Sequence, residues 1–331
     1  MRCGAIKMLE AKGLSKTYGS VKALCGFTAV FEDSKITIIA GPSGSGKTTL
    51  LKLLAGLEMP TSGSIFIDGR DVTREPPWER GVMLLSQRPV LLPHLTVRKN
   101  LELASKYGFK GKNSAVKLGI ENIVGDLGIT DILDRYPGQL SGGQLQRASL
   151  AAVLASGARV LLLDEPFAHL DLPLREQLRI VLRKIVSRYG LTGIMVTHDQ
   201  DEALELGDHI ILLDSCMHRG EGSPAEMYFD PPTLDAARFF GLNIICGALI
   251  GDEPVKVSFA PEQVEIIESS RGDWILEYSA LRRGFSVALL RHTTGVGVKA
   301  YIPSTLYEKL YIGSRYNIVV KGNVKKWNIE C

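Results

Sequence analysis

From Met8 to about Asp214, short apolar runs alternate with helical patterns. The run ITIIAG (36–41) leads into a glycine-rich loop and then KTTLLKLLAG. VLLLDEP (160–166) precedes REQLRIVLRKIVSRYG (175–190), IMVTHD (194–199) precedes an acidic helix start, and HIILLD (209–214) closes the series. Near-continuous apolar strands followed by helices predict a parallel sheet with helices on its faces. Between Gln87 and Ser156 helical periodicity replaces the strand signal, which predicts a helical insertion at about 88–157. The prolines and short helical pattern of residues 223–241 suit a linker. Beyond it come IICGALI, VKVSFA, QVEIIE, WILEYSA, FSVALLR, VKAYIP and NIVV, separated by turn residues. Six or seven short strands without a long helix predict a small all-β barrel of the oligonucleotide/oligosaccharide-binding type. The expected division is an α/β domain at 8–240 and an all-β domain at 241–331.

Composition sets outer limits on this picture. A chain of 331 residues has room for two domains of ordinary size, and 45% hydrophobic with 23% charged residues is globular composition. The net charge of +3 gives no bulk electrostatic footprint for nucleic acid, so no nucleic-acid partner is expected. The longest stretch without Asp, Glu, Lys or Arg is residues 239–251, shorter than the ~18 apolar residues of a spanning helix. The five cysteines, at 3, 25, 216, 246 and 331, form no closely spaced pair. They read as reduced or incidental thiols of a cytoplasmic protein rather than a disulfide frame or zinc site. Residues 1–7 precede the first patterned segment as an extension without the apolar core of a signal peptide.

The strongest chemical signal is Gly41-Pro42-Ser43-Gly44-Ser45-Gly46-Lys47-Thr48-Thr49, which fits G-x-x-x-x-G-K-[ST] between a strand and a helix. Its glycines let backbone N–H groups converge on phosphate oxygens, and the helix N-terminus adds positive potential. Lys47 would reach the β- and γ-phosphates, and the Thr48 hydroxyl would ligate Mg²⁺. Asp164 ends the apolar run VLLL, 123 residues after Gly41, at a strand's carboxyl end where α/β ligands bind. It suits a Mg²⁺ site reached through water, and Glu165 beside it could orient or deprotonate an attacking water.

Further motifs follow in order, and together they resemble the ATPases of the ABC family. Leu140-Ser141-Gly142-Gly143-Gln144 is similar to the family's signature motif. Tyr18 in LSKTYGS resembles the aromatic that stacks on adenine, and Gln87 the Q-loop glutamine that touches metal and water. Ala168-His169-Leu170-Asp171 stands where the D-loop stands, and His198 resembles the switch histidine at the γ-phosphate. Taken singly, each has a plain reading as a turn residue, a helix start or an incidental strand end. The ordered set, spanning about residues 8–240, is what makes the resemblance specific. As a helix start, Ser141-Gly142-Gly143 is also suited to phosphate, with a hydroxyl, close backbone approach and a positive helix end. Two departures stand out: His169 replaces the usual alanine of the D-loop, and Ala151-Ala152-Val153-Leu154 lacks the arginine usual after the signature.

The resemblance implies a P-loop ABC-type nucleotide-binding domain with a helical subdomain, followed by a TOBE barrel at 241–331. It implies an ATPase that binds ATP and Mg²⁺ as a head-to-tail homodimer. In that arrangement Tyr18 and residues 41–49 hold nucleotide, and Thr48, Gln87 and Asp164 serve the metal. Glu165, His198 and Gln87 serve hydrolysis, while Ser141, Gly142, Gly143, Gln144 and Asp171 complete the nucleotide site. HDQDEALELGDHIILLD, RPVLLPHLTVRKNL and the tail segments SFAPEQVEII and RRGFSVALL resemble ATPases of importers for sugars, polyamines, iron and oxyanions. Permease subunits, a solute-binding protein and a peripheral position on the cytoplasmic membrane face are then expected. The short tail leans toward iron, thiamine, polyamine or oxyanion cargo over sugar. The rival reading is a soluble ABC ATPase of DNA repair or ribosomes. That reading predicts a large insertion, a coiled coil or tandem nucleotide domains, and the sequence carries none of these.

Overall fold

The computed structural model describes residues 7–87, 91–109, 119–168 and 170–331. The chain divides into two compact units, Met1–Pro224 and Ala225–Cys331. In the first, β1 (Lys7–Tyr18) and β2 (Val21–Glu32) form a long hairpin, followed by β3 (Ile36–Ala40) and α1 (Lys47–Ala55). Then come β4 (Ser62–Ile67), β5 (Arg70–Asp71), β6 (Val82–Leu85), α2 (Val97–Tyr107), α3 (Ile120–Leu127) and α4 (Gly142–Ala155). The unit closes with β7 (Val160–Asp164), α5 (Leu172–Tyr189), β8 (Thr192–Thr197), α6 (Gln200–Leu206), β9 (His209–Asp214) and β10 (Met217–Gly222).

Two sheets share the core of this unit. The six-stranded sheet runs β10-β9-β3-β8-β7-β6, parallel except for the hairpin strand β10. All five residues of β3 and all six of β8 are buried, as expected of strands covered on both faces. The second sheet, β2-β1-β4-β5, is antiparallel. Its strand β2 alternates buried and exposed positions, so one face packs inward and the other meets water. The sequence reading anticipated the parallel sheet and did not separate out this antiparallel one. Helix α1 lies between them, burying Leu50, Leu51, Leu53 and Leu54 in the shared cluster. Between β6 and β7, the described residues hold α2, α3 and α4 and no strand.

The segment read as a linker forms α7 (Pro224–Phe229) and α8 (Leu234–Phe239). The second unit then builds eight strands, one more than the sequence pattern showed. These are β11 (Asn243–Cys246), β12 (Val255–Phe259), β13 (Val264–Glu268), β14 (Trp274–Leu281), β15 (Phe285–His292), β16 (Gly297–Pro303), β17 (Arg315–Val320) and β18 (Lys325–Glu330). They make antiparallel sheets β11-β12-β18 and β13-β17-β14-β15-β16 over one core containing Phe259, Trp274, Leu290 and Tyr316. Strand β18, KKWNIE, has no fully buried residue and only two apolar ones, Trp327 and Ile329, too short an apolar pattern to mark a strand.

The cysteine reading is corrected by the structure. Cys25 bonds to Cys216 and Cys246 to Cys331, each pair within its own unit. Sequence separations of 191 and 85 residues leave no local spacing signal, so tertiary proximity alone makes these pairs. The inference of a reducing compartment from unpaired thiols loses its basis.

Candidate functional site

Parallel register brings the predicted motifs to one sheet edge. Ala40 of β3 pairs with Thr197 of β8, Val196 pairs with Asp164 of β7, and Leu163 pairs with Leu85 of β6. Residues 41–49 therefore leave the sheet beside His198, which follows β8, and beside Glu165, which follows β7. Gln87 lies two residues past β6 on the same edge and is exposed. This is the carboxyl edge of the strands, where open α/β sheets place ligands.

Within the loop, Lys47 is buried, and its ammonium donates to the carbonyls of Gly41 (2.8 Å) and Pro42 (2.7 Å). The cation thus sits at the loop's centre. Burial pushes its pKa down, while the carboxylates of Glu165, Asp164 and Asp214 pull the other way. Next along α1, Thr48 Oγ1 donates to Asp164 Oδ1 at 3.1 Å. Burial pushes the Asp164 carboxyl up, the Glu165 charge adds to the shift, and the Thr48 bond and Lys47 oppose it. A hydroxyl and a carboxylate at this distance form an all-oxygen donor set. Mg²⁺ takes such a set through one or two protein oxygens and keeps several waters.

Glu165 has a left-handed backbone (φ 45°), uncommon outside glycine. Its N–H donates to the Val196 carbonyl at 3.1 Å, and its Oε1 lies 2.9 Å from His198 Nδ1. Backbone and side chain are both tied to the β8 end, so the surroundings over-determine the strained conformation. The carboxylate is mostly covered (19% exposed), whereas the imidazole is 53% exposed.

Tyr18 ends β1 and is 43% exposed. Its hydroxyl donates to Glu58, and Lys16 lies 5.0 Å from the ring centroid. Burial and the Glu58 bond raise the phenol pKa. Ser141 and Gln144 cap α4 reciprocally: the Gln144 N–H donates to Ser141 Oγ at 3.3 Å and the Ser141 N–H to Gln144 Oε1 at 3.1 Å. Gly142 and Gly143 are the first two residues of that helix, and Leu174 of α5 packs directly on Gly143. Asp171 caps α5 by accepting from the Leu174 N–H at 3.0 Å. Among the described residues, no hydrogen bond links Tyr18, Ser141, Gln144 or Asp171 to the Lys47–Asp164–Glu165–His198 group. The predicted residues thus fall into one assembled cluster and separate pieces. His169 lies outside the described residues.

Sequence reasoning missed the supports behind the cluster. Buried Gln146 of α4 donates from Nε2 to the Pro166 carbonyl at 2.6 Å, joining the signature helix to the residue after Glu165. Asp199, beside His198, caps α6 through the Glu202 N–H (3.0 Å) and pairs with Arg175 (3.3 Å). Glu202 is buried, accepts from Thr197 Oγ1 (2.6 Å) and pairs with Arg179 (3.4 Å), and burial raises its pKa. The acidic helix start was visible in the sequence, but its arginine partners on α5 were not.

A family model described as ABC transporter matches residues 26–168. The sulfate/thiosulfate import ATP-binding protein CysA of Synechococcus elongatus is 40% identical over 267 residues, 78% of this chain and 77% of that protein. The spermidine/putrescine import ATP-binding protein PotA of Spiroplasma citri is 33% identical over 327 residues, 98% and 91% of the two chains. Among solved structures, the ATP-binding cassette MJ0796, a dimer in a post-hydrolysis state bound to ADP and Pi, matches with TM-score 0.57 at 30% identity. That match covers 66% of this chain and 99% of the other. Fold and sheet edge together define an α/β protein of the P-loop nucleotide-binding class. With relatives at this identity and coverage, the chain belongs to the ABC transporter family, as an ATP-binding and ATP-hydrolysing subunit of importer type.

Proposed function

We propose that two copies of this chain close head to tail around two ATP molecules and drive a separate permease. Residues 41–49 cradle the phosphates of one ATP, Lys47 offers its cation to the β- and γ-phosphates, and Tyr18 stacks on the base. Thr48, Asp164 and Gln87 hold Mg²⁺, which when bound neutralises phosphate charge. Glu165 accepts the proton of the attacking water. His198, bonded to Glu165, faces the γ-phosphate. Ser141, Gly142, Gly143 and Gln144 of the second copy, with its Asp171, complete each site. The observation that carries this reading is the joining of Lys47, Asp164, Glu165 and His198 on one sheet edge by parallel register.

In this proposal the first unit is the nucleotide-binding domain, with a helical subdomain at about 88–157, and the second a TOBE-type regulatory domain; the expected boundary at 240/241 moves to 224/225, because α7 and α8 group with the second unit. The protein works at the cytoplasmic face of the membrane with permease subunits and a solute-binding protein. No helix among the described residues is long and apolar enough to cross a bilayer. The names of the relatives favour a sulfate-like oxyanion or a polyamine as cargo.

The shared site is tested by mixing two inactive variants carrying different tags. Lys47→Ala lacks the phosphate-reaching cation, and Ser141→Arg blocks the signature. A mixed head-to-tail pair concentrates both defects in one site and leaves the other intact. Nucleotide-dependent dimerisation is expected to return on mixing. No gain in dimerisation or hydrolysis, with mixed dimers confirmed by the two tags, refutes the shared site.

A further inference from the structure

The loop at 41–49 is held between two walls. On one side Gly41 (φ 152°) packs so closely on β9 that an added Cβ would collide with the Leu213 carbonyl. On the other, Gly46 (φ 102°) packs on β2, where a Cβ would collide with the Ala23 carbonyl. The walls belong to different sheets. Cys25 lies two residues beyond Ala23, and Cys216 three residues beyond Leu213, in the turn between β9 and β10. Their disulfide therefore joins the two walls next to the points where they grip the loop. The Cys25 N–H also donates to the Cys216 carbonyl at 2.9 Å. Ser215 (φ 49°) and Cys216 (φ 65°) both hold left-handed backbone that non-glycine residues seldom adopt, so this turn depends on its tethers. Both cysteines are only partly buried, within reach of thiols in solution.

We propose that the Cys25–Cys216 disulfide is a redox-sensitive clamp on the ATP phosphate loop. Closed, it fixes the spacing of the two walls and presets the loop for nucleotide. Opened by a dithiol reductant, it frees the walls and weakens ATP binding. A reductant thiolate attacks one sulfur, the Cys25–Cys216 bond breaks, and a mixed disulfide forms. The reductant's second thiol resolves it. Two electrons and two protons end on Cys25 and Cys216 as thiols, and the reductant leaves as its own disulfide. The clamp rests on the assignment of residues 41–49 to phosphate. The second pair, Cys246–Cys331, lies in the other unit and serves as an internal control.

The test uses the full-length chain. Thiol titration should find four more free thiols after dithiothreitol than before it, two from each disulfide. ATP affinity by calorimetry and hydrogen–deuterium exchange of the peptide spanning residues 41–49 are then measured in both states. Reduction is expected to weaken ATP binding about three- to tenfold, the scale of losing a few preorganised groups, and to speed exchange in the loop. A Cys246→Ser/Cys331→Ser chain should respond to reduction as the parent does. A Cys25→Ser/Cys216→Ser chain should start weak and ignore dithiothreitol. If that chain does not fold, reduction of the Cys246→Ser/Cys331→Ser chain decides the matter alone. Unchanged affinity and exchange, with Cys25 and Cys216 shown alkylated by mass spectrometry, overturn the clamp. A Lys47→Ala chain that still binds ATP overturns the phosphate assignment instead, and loop exchange then decides the clamp by itself.

Discussion

Glu165 Oε1 lies 2.9 Å from His198 Nδ1, although 33 residues separate the two. They stand at the ends of adjacent parallel strands, and the Glu165 N–H is bonded to β8 as well. The histidine thereby restricts where the carboxylate can point.

Glu165→Gln keeps the side-chain size and removes the proton acceptor. ATP binding should persist while hydrolysis, followed by phosphate release, falls by about 10²-fold or more. His198→Ala leaves the carboxylate in place but unheld, and a smaller loss of about tenfold is expected. A Glu165→Gln chain still hydrolysing within about threefold of the parent would show that the base is elsewhere.

Asp164→Asn should separate stability from function. Burial raises the folded-state pKa of Asp164, so its charge costs stability at neutral pH. The asparagine chain should melt higher by about 2 °C near pH 7.5 yet lose Mg²⁺-dependent hydrolysis. As pH falls through the raised folded pKa, above the ordinary value of about 3.9, the parent takes up a proton before its unfolded chain does. It then regains that stability, and the melting difference should shrink. Calorimetric melts from pH 7.5 downward check the sign; a difference that widens on acidification would contradict the assignment.

Tyr18 separates stacking from hydrogen bonding. Tyr18→Ala should weaken ATP binding by about 1–3 kcal/mol, the range for aromatic–base stacking. Tyr18→Phe keeps the ring and loses only the hydroxyl's bonds to Glu58 and Thr49, so its affinity should remain within about threefold of the parent. Equal affinities in all three chains, measured by titration with ATP, would place the base away from Tyr18.

Truncation tests the independence of the units. The core residues of the first unit lie between Met8 and Leu213, and those of the second between Ile245 and Tyr316. A chain ending at Pro224 should be soluble and bind ATP. One ending at Gly241 retains α7 and α8 with their buried Met227, Ala236, Ala237 and Phe240 but without the unit they group with. It should aggregate more readily in a light-scattering melt. Insolubility of the shorter chain would show that the second unit is needed to complete the first.

Much of the first unit was legible because its strands are continuous apolar runs and its loop motif is local. ITIIA, VLLLD and TGIMVT are buried on both faces, which leaves an apolar run in the sequence. The β2-β1-β4-β5 sheet was not legible. Its strands are half-exposed, and β1 and β2 pair through several register shifts that break simple alternation. The bond from Gln146 to Pro166 and the Arg175–Asp199 pair span 20 and 24 residues, and neither has a spacing rule.

The sequence by itself determined the strand–loop–helix at 36–55, because the loop's chemistry lies within nine consecutive residues and needs only the chain's own backbone. It also determined which residue types stand at Asp164, Glu165 and His198. Tertiary structure alone decided that these meet, through the strand order β3-β8-β7-β6. It alone decided that Cys25 finds Cys216 across 191 residues. The physical reason is the same in both cases. Strand order and disulfide partnership depend on how separate elements pack, and no local spacing encodes that packing.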